Sequence, residues 1–306
     1  MGLRAWVLGL RAWVLGLRAW VLGLRGLLAL AVPACSLGAD RIVVGSKNFT
    51  EQDILGEIVA QQIEHAGFKV DRRFHLGGTF VCHQALMAGQ IDGYVEYTGT
   101  ALVAILKLPP TADPESAYAR VHPRYDERFD AEWLKPLGFN NTFAMIVRGA
   151  DARRLNLRTL SDAVRYAPRW RAGFGYEFSE RQDGFPGLAR TYALRFAGPP
   201  SVMDLGLTYR ALAEGRVDMI AGNSTDGQIA ALDLVALEDD RRYFPAYEAV
   251  PIIRWPVLRR HPEVGRALEA LAGTISDATM RRMNYLVDVE HRDVAAVARE
   301  FLATLR

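Results

Sequence analysis

Two short segments of the sequence carry side chains suited to holding a small charged solute. Gly45-Ser46-Lys47-Asn48-Phe49-Thr50-Glu51-Gln52 and Glu96-Tyr97-Thr98-Gly99-Thr100 each follow an apolar run and lead into a run with helical spacing. A helix N-terminus offers backbone N–H groups that no intrahelical partner takes, and its dipole favours an anion. Lys47 and Thr100 add a cation and a hydroxyl, a good setting for a carboxylate. The plainer reading, a solvated lysine and a capping threonine, stays open at this point. Catalytic signatures are missing: the chain has no HExxH, no Walker loop, no GxSxG and no CxxC. His75 and His83 have no evident third metal ligand, so no metal and no cofactor is expected.

The elements that must position these segments alternate. Arg41 to Gly45 reads as a buried strand, and Thr50, three residues before Asp53, as a capping-box-like start. Ile54, Leu55, Ile58, Val59 and Ile63 then follow at helical spacing up to Gly67. Lys69 to Leu76 predicts a second strand, Thr79 to Leu86 a helix closed by Gly89, and Ile91 to Tyr97 a third strand, with a helix from Thr100. This βαβαβα order implies α/β architecture with a mainly parallel sheet. Residues 109–136, rich in proline and mixed charge, read as looser chain. Strands are expected at Thr142–Arg148, Arg171–Tyr176, Val217–Ala221, Leu232–Leu237 and Val250–Arg254, the last returning to the first lobe. Helices are expected at Thr159, Gly187–Phe196, Met203–Glu214 and beyond Pro262.

An internal echo stands out. Ala85-Leu-Met-Ala-Gly-Gln-Ile-Asp92 resembles Ala211-Leu-Ala-Glu-Gly-Arg-Val-Asp218, which in register sets Tyr97 against Asn223. Two readings fit: the glycine stop that many αβ units share, or two similar lobes that each present a strand end to one cleft.

The first residues read as an address. LRAWVLG occurs three times in a row, from Leu3, Leu10 and Leu17, interrupted by Arg4, Arg11, Arg18 and Arg25. The arginines make a poor membrane span. A basic region, the apolar run Gly26–Ala34 and a small-residue cleavage zone fit an export signal over residues 1–39. Cleavage after Ala34 would leave Cys35 for lipidation; cleavage near Ala39 is the other reading. Either way Cys82 lacks an intrachain partner, and a buried small side chain is expected there. The net charge of +2 over 306 residues argues against a nucleic-acid surface.

GSKNFTEQ, LGGTFVCHQAL, DGYVEYTGT, WLKPLGFNNTFAM, and GNSTDGQI with FPAYEAVPIIR together resemble the glycine betaine, choline and carnitine-binding proteins of ABC importers, over nearly the whole chain after Asp40. The resemblance implies the type II periplasmic-binding-protein fold, two α/β lobes with a ligand cleft and hinge between them. Lobe one would hold residues 40–140 and 246–306, lobe two residues 141–245. It implies that Lys47, Thr100 and Arg181, the last within Arg181-Gln-Asp-Gly184, clamp a ligand carboxylate, and that Tyr97 and Tyr247 belong to a cage for the quaternary ammonium. Asn141 would bring a backbone carbonyl near the cation. Two cage positions depart from the pattern: Phe143 stands where the family has tyrosine, and Asn223 where tyrosine is frequent. Trp133, Trp170 and Trp255 read as core or rim packing. The expected protein is a periplasmic or extracytoplasmic, monomeric, non-enzymatic component. It would bind glycine betaine, choline or a similar small molecule and deliver it to an ABC permease in the inner membrane. A different cationic or zwitterionic solute, or a sensory role, is the alternative.

Overall fold

The computed structural model describes residues 41–306; the repeated heptads, the export signal and Cys35 lie outside them. Ten strands occur among the described residues: β1 (Arg41–Gly45), β2 (Lys69–Arg73), β3 (Gly93–Tyr97), β4 (Ala131–Trp133), β5 (Phe143–Arg148), β6 (Ala172–Phe174), β7 (Ser201–Val202), β8 (Met219–Asn223), β9 (Leu234–Leu237) and β10 (Ala249–Arg254). They form two five-stranded sheets, ordered β2-β1-β3-β10-β4 and β7-β6-β8-β5-β9. Each sheet defines one α/β lobe.

The expected parallel pairing holds for β1 with β2 and β3, and for β6 with β7 and β8. The sheets are nonetheless mixed, because β10 runs antiparallel to β3 and β4, and β5 antiparallel to β8 and β9. Both exceptions are strands entered directly from the other lobe. They are free of the right-handed crossover rule that governs a strand-helix-strand unit within one sheet.

The first long helix, Thr50–His65, buries Ile54, Leu55, Ile58, Val59 and Ile63, as the spacing predicts. Each such side chain contributes about 1.5–3 kcal/mol before entropy is counted. Its start is not a capping box. Phe49 is the N-cap residue, the Thr50 hydroxyl donates to Asp288 at 2.5 Å, and Asp53 accepts the Ser46 hydroxyl at 2.6 Å. Thr159 does make a capping box, with Asp162.

The loose reading of residues 109–136 is corrected. Pro114–Phe129 is a sixteen-residue helix, and β4 follows it. Asp113 caps the helix by accepting the Ser116 N–H at 3.0 Å, and Pro114 sits in the first turn, where its missing N–H costs nothing. Pro123 inside the helix and the mixed charge hid a buried face of Ala117, Val121 and Tyr125. Trp133 lies in the core with Tyr125 packed edge-on at 5.1 Å, and Trp170 and Trp255 are packed against the core from its margin.

The echo is structural. Gly89 and Gly215 both adopt left-handed φ, 66° and 72°. Their N–H groups reach Leu86 and Leu212 carbonyls at 3.1 Å each. Asp92 and Asp218 then each exchange two bonds with one backbone unit, Val43 and Arg171: amide to carbonyl at 2.7 Å in both cases, carboxylate from amide at 2.9 Å in both. Arg254 ends β10 and reaches Asp92; Arg148 ends β5 and reaches Asp218. A shared glycine stop does not require this matching set of bonds, so the two lobes repeat one plan.

Candidate functional site

A cavity of about 310 Å³ lies between the two sheets and is lined by all eight residues singled out in the sequence. Register explains much of the convergence. Tyr97 ends β3 opposite Ala249 at the start of β10, two residues after Tyr247. Asn223 ends β8 opposite Phe143 at the start of β5. The two connecting segments are joined as well: Asn141 donates its N–H to the Tyr247 carbonyl at 3.0 Å, and Tyr247 donates its own to Asn140 Oδ1 at 2.6 Å.

Part of the cavity lining is polar. Lys47 is buried rather than solvated, ion-paired to Glu96, and donates to Thr79 Oγ1 at 3.1 Å. Arg181 donates to Thr100 Oγ1 at 3.1 Å and grips Asp183 through two nitrogens. Burial opposes the charge of Arg181, but Asp183 outweighs it and the guanidinium pKa is raised. Lys47 therefore meets Thr79, and Arg181 meets Thr100, in the lining of one cavity. Each of the two cations already has a buried carboxylate partner, which the sequence reading did not include. Asp183 and Glu96 were legible within RQDG and EYTG as neighbours, not as partners.

The rest of the lining is aromatic and lies against these cations: Lys47 Nζ stands 5.1 Å from the Tyr97 ring centre and the Arg181 guanidinium 5.3 Å from that of Phe143. The Tyr97 hydroxyl donates to Glu51 Oε1 at 2.6 Å and the Tyr247 hydroxyl to Asp183 Oδ2 at 2.8 Å. Burial pushes both phenols well above their ordinary pKa. A phenol that donates to a carboxylate keeps an electron-rich ring, which suits a cation. Phe143 packs edge-on against Tyr247 at 5.5 Å and Phe178 at 4.9 Å. Phe49 stacks with Tyr97 at 6.5 Å. Phe49, Phe178, Tyr176 and Thr79 also line the cavity, and the sequence reading missed them in this role. Phe49 stood in plain view in the first strand-end loop. Tyr176 and Phe178 sit on a short helix, Tyr176–Glu180; the expected strand ended at Tyr176 and no element was expected at Phe178.

Asn223 is held by its backbone, donating to Asp226 at 2.8 Å. Asn141 gives its side-chain amide to Glu51 at 2.7 Å, while its buried Oδ1 has no hydrogen-bond partner among the described residues. Glu51 also accepts from Thr225 at 2.5 Å and Asn284 at 3.0 Å. It thus ties both lobes together beneath the cavity, and burial raises its pKa against the pull of these bonds.

Elsewhere, Cys82 is buried, donates to the Ser46 carbonyl at 3.4 Å, and burial pushes its thiol up to about 12. His83 packs between Tyr125 and Phe129, and His75 faces Asp53. Among the described residues no cluster of histidine, cysteine and acidic side chains could hold a metal ion. Nor is any helix there long and apolar enough to cross a membrane.

Two mixed α/β sheets with a lined cleft between them define the type II periplasmic-binding-protein class. Residues 40–304 match the substrate-binding domain of the ABC-type glycine betaine transport system, and the chain belongs to that family. It is 35% identical over 275 residues to the ergothioneine transport permease/ergothioneine binding protein EgtU of Helicobacter pylori, covering 90% of this chain but only 49% of that protein. It thus spans about half the length of that relative. It is 36% identical to the carnitine transport binding protein OpuCC of Listeria monocytogenes, covering 90% of this chain and 92% of that one. The crystal structure of a glycine betaine/carnitine/choline ABC transporter superposes with a TM-score of 0.71 at 33% identity, covering 86% of this chain and 98% of that one.

Proposed function

We propose that this chain captures glycine betaine or a related quaternary-ammonium zwitterion by closure of its two lobes and hands it to an ABC permease. The observation that carries this reading is the pairing of two buried, carboxylate-anchored tyrosines, Tyr97 and Tyr247, with a cluster of donors at Thr79, Thr100 and Arg181 in one cavity. Tyr97, Tyr247 and Phe143 face the ammonium, each contact being worth roughly 0.5–2 kcal/mol. The unpartnered Asn141 Oδ1 is an acceptor suited to the same cation. Lys47, Thr100 and Arg181 take the carboxylate.

Lobe one comprises residues 40–140 and 246–306, lobe two residues 141–245, and the two crossings around Asn141 and Tyr247 form the hinge. The protein acts outside the cytoplasm, as a monomer, without cofactor, catalysis or nucleic acid. Phe143 and Asn223 favour a second reading. With an amide at position 223, where tyrosine is frequent in the family, the cavity accepts a zwitterion with an additional polar group, such as carnitine or ergothioneine.

A thermal-shift screen of the mature chain against glycine betaine, choline, carnitine, ergothioneine and proline tests both. A ligand at about 100 times its dissociation constant stabilises by roughly 2.7 kcal/mol. A shift with glycine betaine supports the first reading, and a shift with carnitine or ergothioneine alone supports the second. Silence from every quaternary ammonium ends both.

A further inference from the structure

Glu177 holds a place that the proposed carboxylate clamp also claims. Its carboxylate crosses the cleft from the helix Tyr176–Glu180 to the start of the helix Thr79–Met87. There it accepts the Thr79 backbone N–H and, at 3.0 Å, the Thr79 hydroxyl, while Arg181 Nη1 stands at 3.4 Å. Thr79 is oriented for this, because its hydroxyl accepts from Lys47 at 3.1 Å and so turns its proton to Glu177. The approach also needs Gly78: a Cβ there would come within 2.2 Å of Glu177 Oε1. Backbone amide, hydroxyl and guanidinium together make an anion seat, and a side chain of the protein fills it.

The charges point the same way. Two cations of the cavity lining, Lys47 and Arg181, face three carboxylates, Glu96, Asp183 and Glu177. With Glu177 seated, the cluster carries a net negative charge and complements a cation that has no carboxylate of its own.

We propose that Glu177 is a specificity-determining residue: a ligand that bears a carboxylate must displace it from Thr79 and Arg181, whereas a quaternary-ammonium alcohol leaves it seated as counter-charge. This rests on the quaternary-ammonium reading of the cavity. The residue therefore acts in opposite directions on two ligands of similar size.

The test is calorimetric titration of choline and of glycine betaine into the wild-type chain and the Glu177→Gln variant, with amide hydrogen exchange at Thr79 in the ligand-free wild type and Glu177→Ala. Removing the charge is expected to tighten glycine betaine about tenfold, the scale of one lost charge-assisted competitor, and to weaken choline several-fold. The Thr79 amide is expected to exchange faster in Glu177→Ala. Parallel shifts of both ligands, or unchanged affinities, overturn the proposal, as does an unchanged Thr79 amide. If neither probe binds either protein while the Thr79 amide loses protection, the quaternary-ammonium reading falls and Glu177 keeps its seat.

Discussion

Tyr97 and Tyr247 share with the core tyrosines Tyr94, Tyr192 and Tyr209 a hydroxyl held by a carboxylate, and differ from them in lining the cavity. Glu51 and Asp183 fix the rings at the cleft edge and keep them electron-rich. Tyr97→Ala removes one face of the proposed cage and is expected to weaken glycine betaine by a factor between about two and about thirty. Calorimetry reads the change directly. Tyr97→Phe keeps the face and is expected to stay within a few-fold of wild type.

A second residue-scale expectation concerns Asp226, whose carboxyl burial pushes up to about 7, opposed by hydrogen bonds from Tyr209 and the Asn223 amide. Its folded pKa lies above the ordinary 3.8, so the folded state holds a proton that the unfolded state has released. The stability from this group is present below about pH 4 and is lost as pH rises through about 7. Asp226→Asn should therefore gain melting temperature relative to wild type between pH 5 and pH 8. An offset between the two that does not change with pH contradicts the assignment.

At this scale the strand-end loops pointed to Lys47 and Thr100, the internal echo to Tyr97 and Asn223, and only the family resemblance to Asn141, Phe143, Arg181 and Tyr247; all eight line the cavity. The sequence did not carry their partners. Nothing local distinguishes Glu177 from the other surface-like acids around it, and the role of Thr79 depends on a lysine thirty-two residues earlier in the chain.

At the scale of elements, the site is made by strand ends that meet in register. The turn after β3 lies directly against the segment leading into β10: a Cβ on Gly99 would stand 2.5 Å from the Ala246 carbonyl and 2.9 Å from the Tyr247 ring. Gly99→Ala is expected to push Tyr247 off its bond to Asp183 and to weaken ligand about tenfold or more, while the variant stays folded. Unchanged affinity would show that Tyr247 does not shape the cavity. The first strands and helices were legible because their apolar spacing is uninterrupted. The helix Pro114–Phe129 was not, because Pro123 and its charged face break the pattern that three buried side chains obey. The helix Tyr176–Glu180 was missed for the opposite reason, since its aromatic residues continue the apolar character of β6.

For the whole molecule, the repeated αβ plan gives two lobes that face each other through equivalent strand ends, with Glu51 bonded to residues of both beneath the cleft. The echo around Gly89 and Gly215 was visible in the sequence, but only the matching bonds of Asp92 and Asp218 separate lobe repetition from a common helix stop. Mixed strand direction was not visible, because it follows from the chain crossing twice between lobes. Such a frame suits closure on a ligand held from both sides. The most direct test of cation capture is to titrate the mature chain with glycine betaine and with 3,3-dimethylbutanoate, its uncharged-head isostere, under the same conditions. The account predicts one-to-one binding of glycine betaine and at least about tenfold weaker binding of the isostere, since shape and carboxylate are kept and only the cation is lost. Equal affinity for the two, or no binding of glycine betaine, would contradict it.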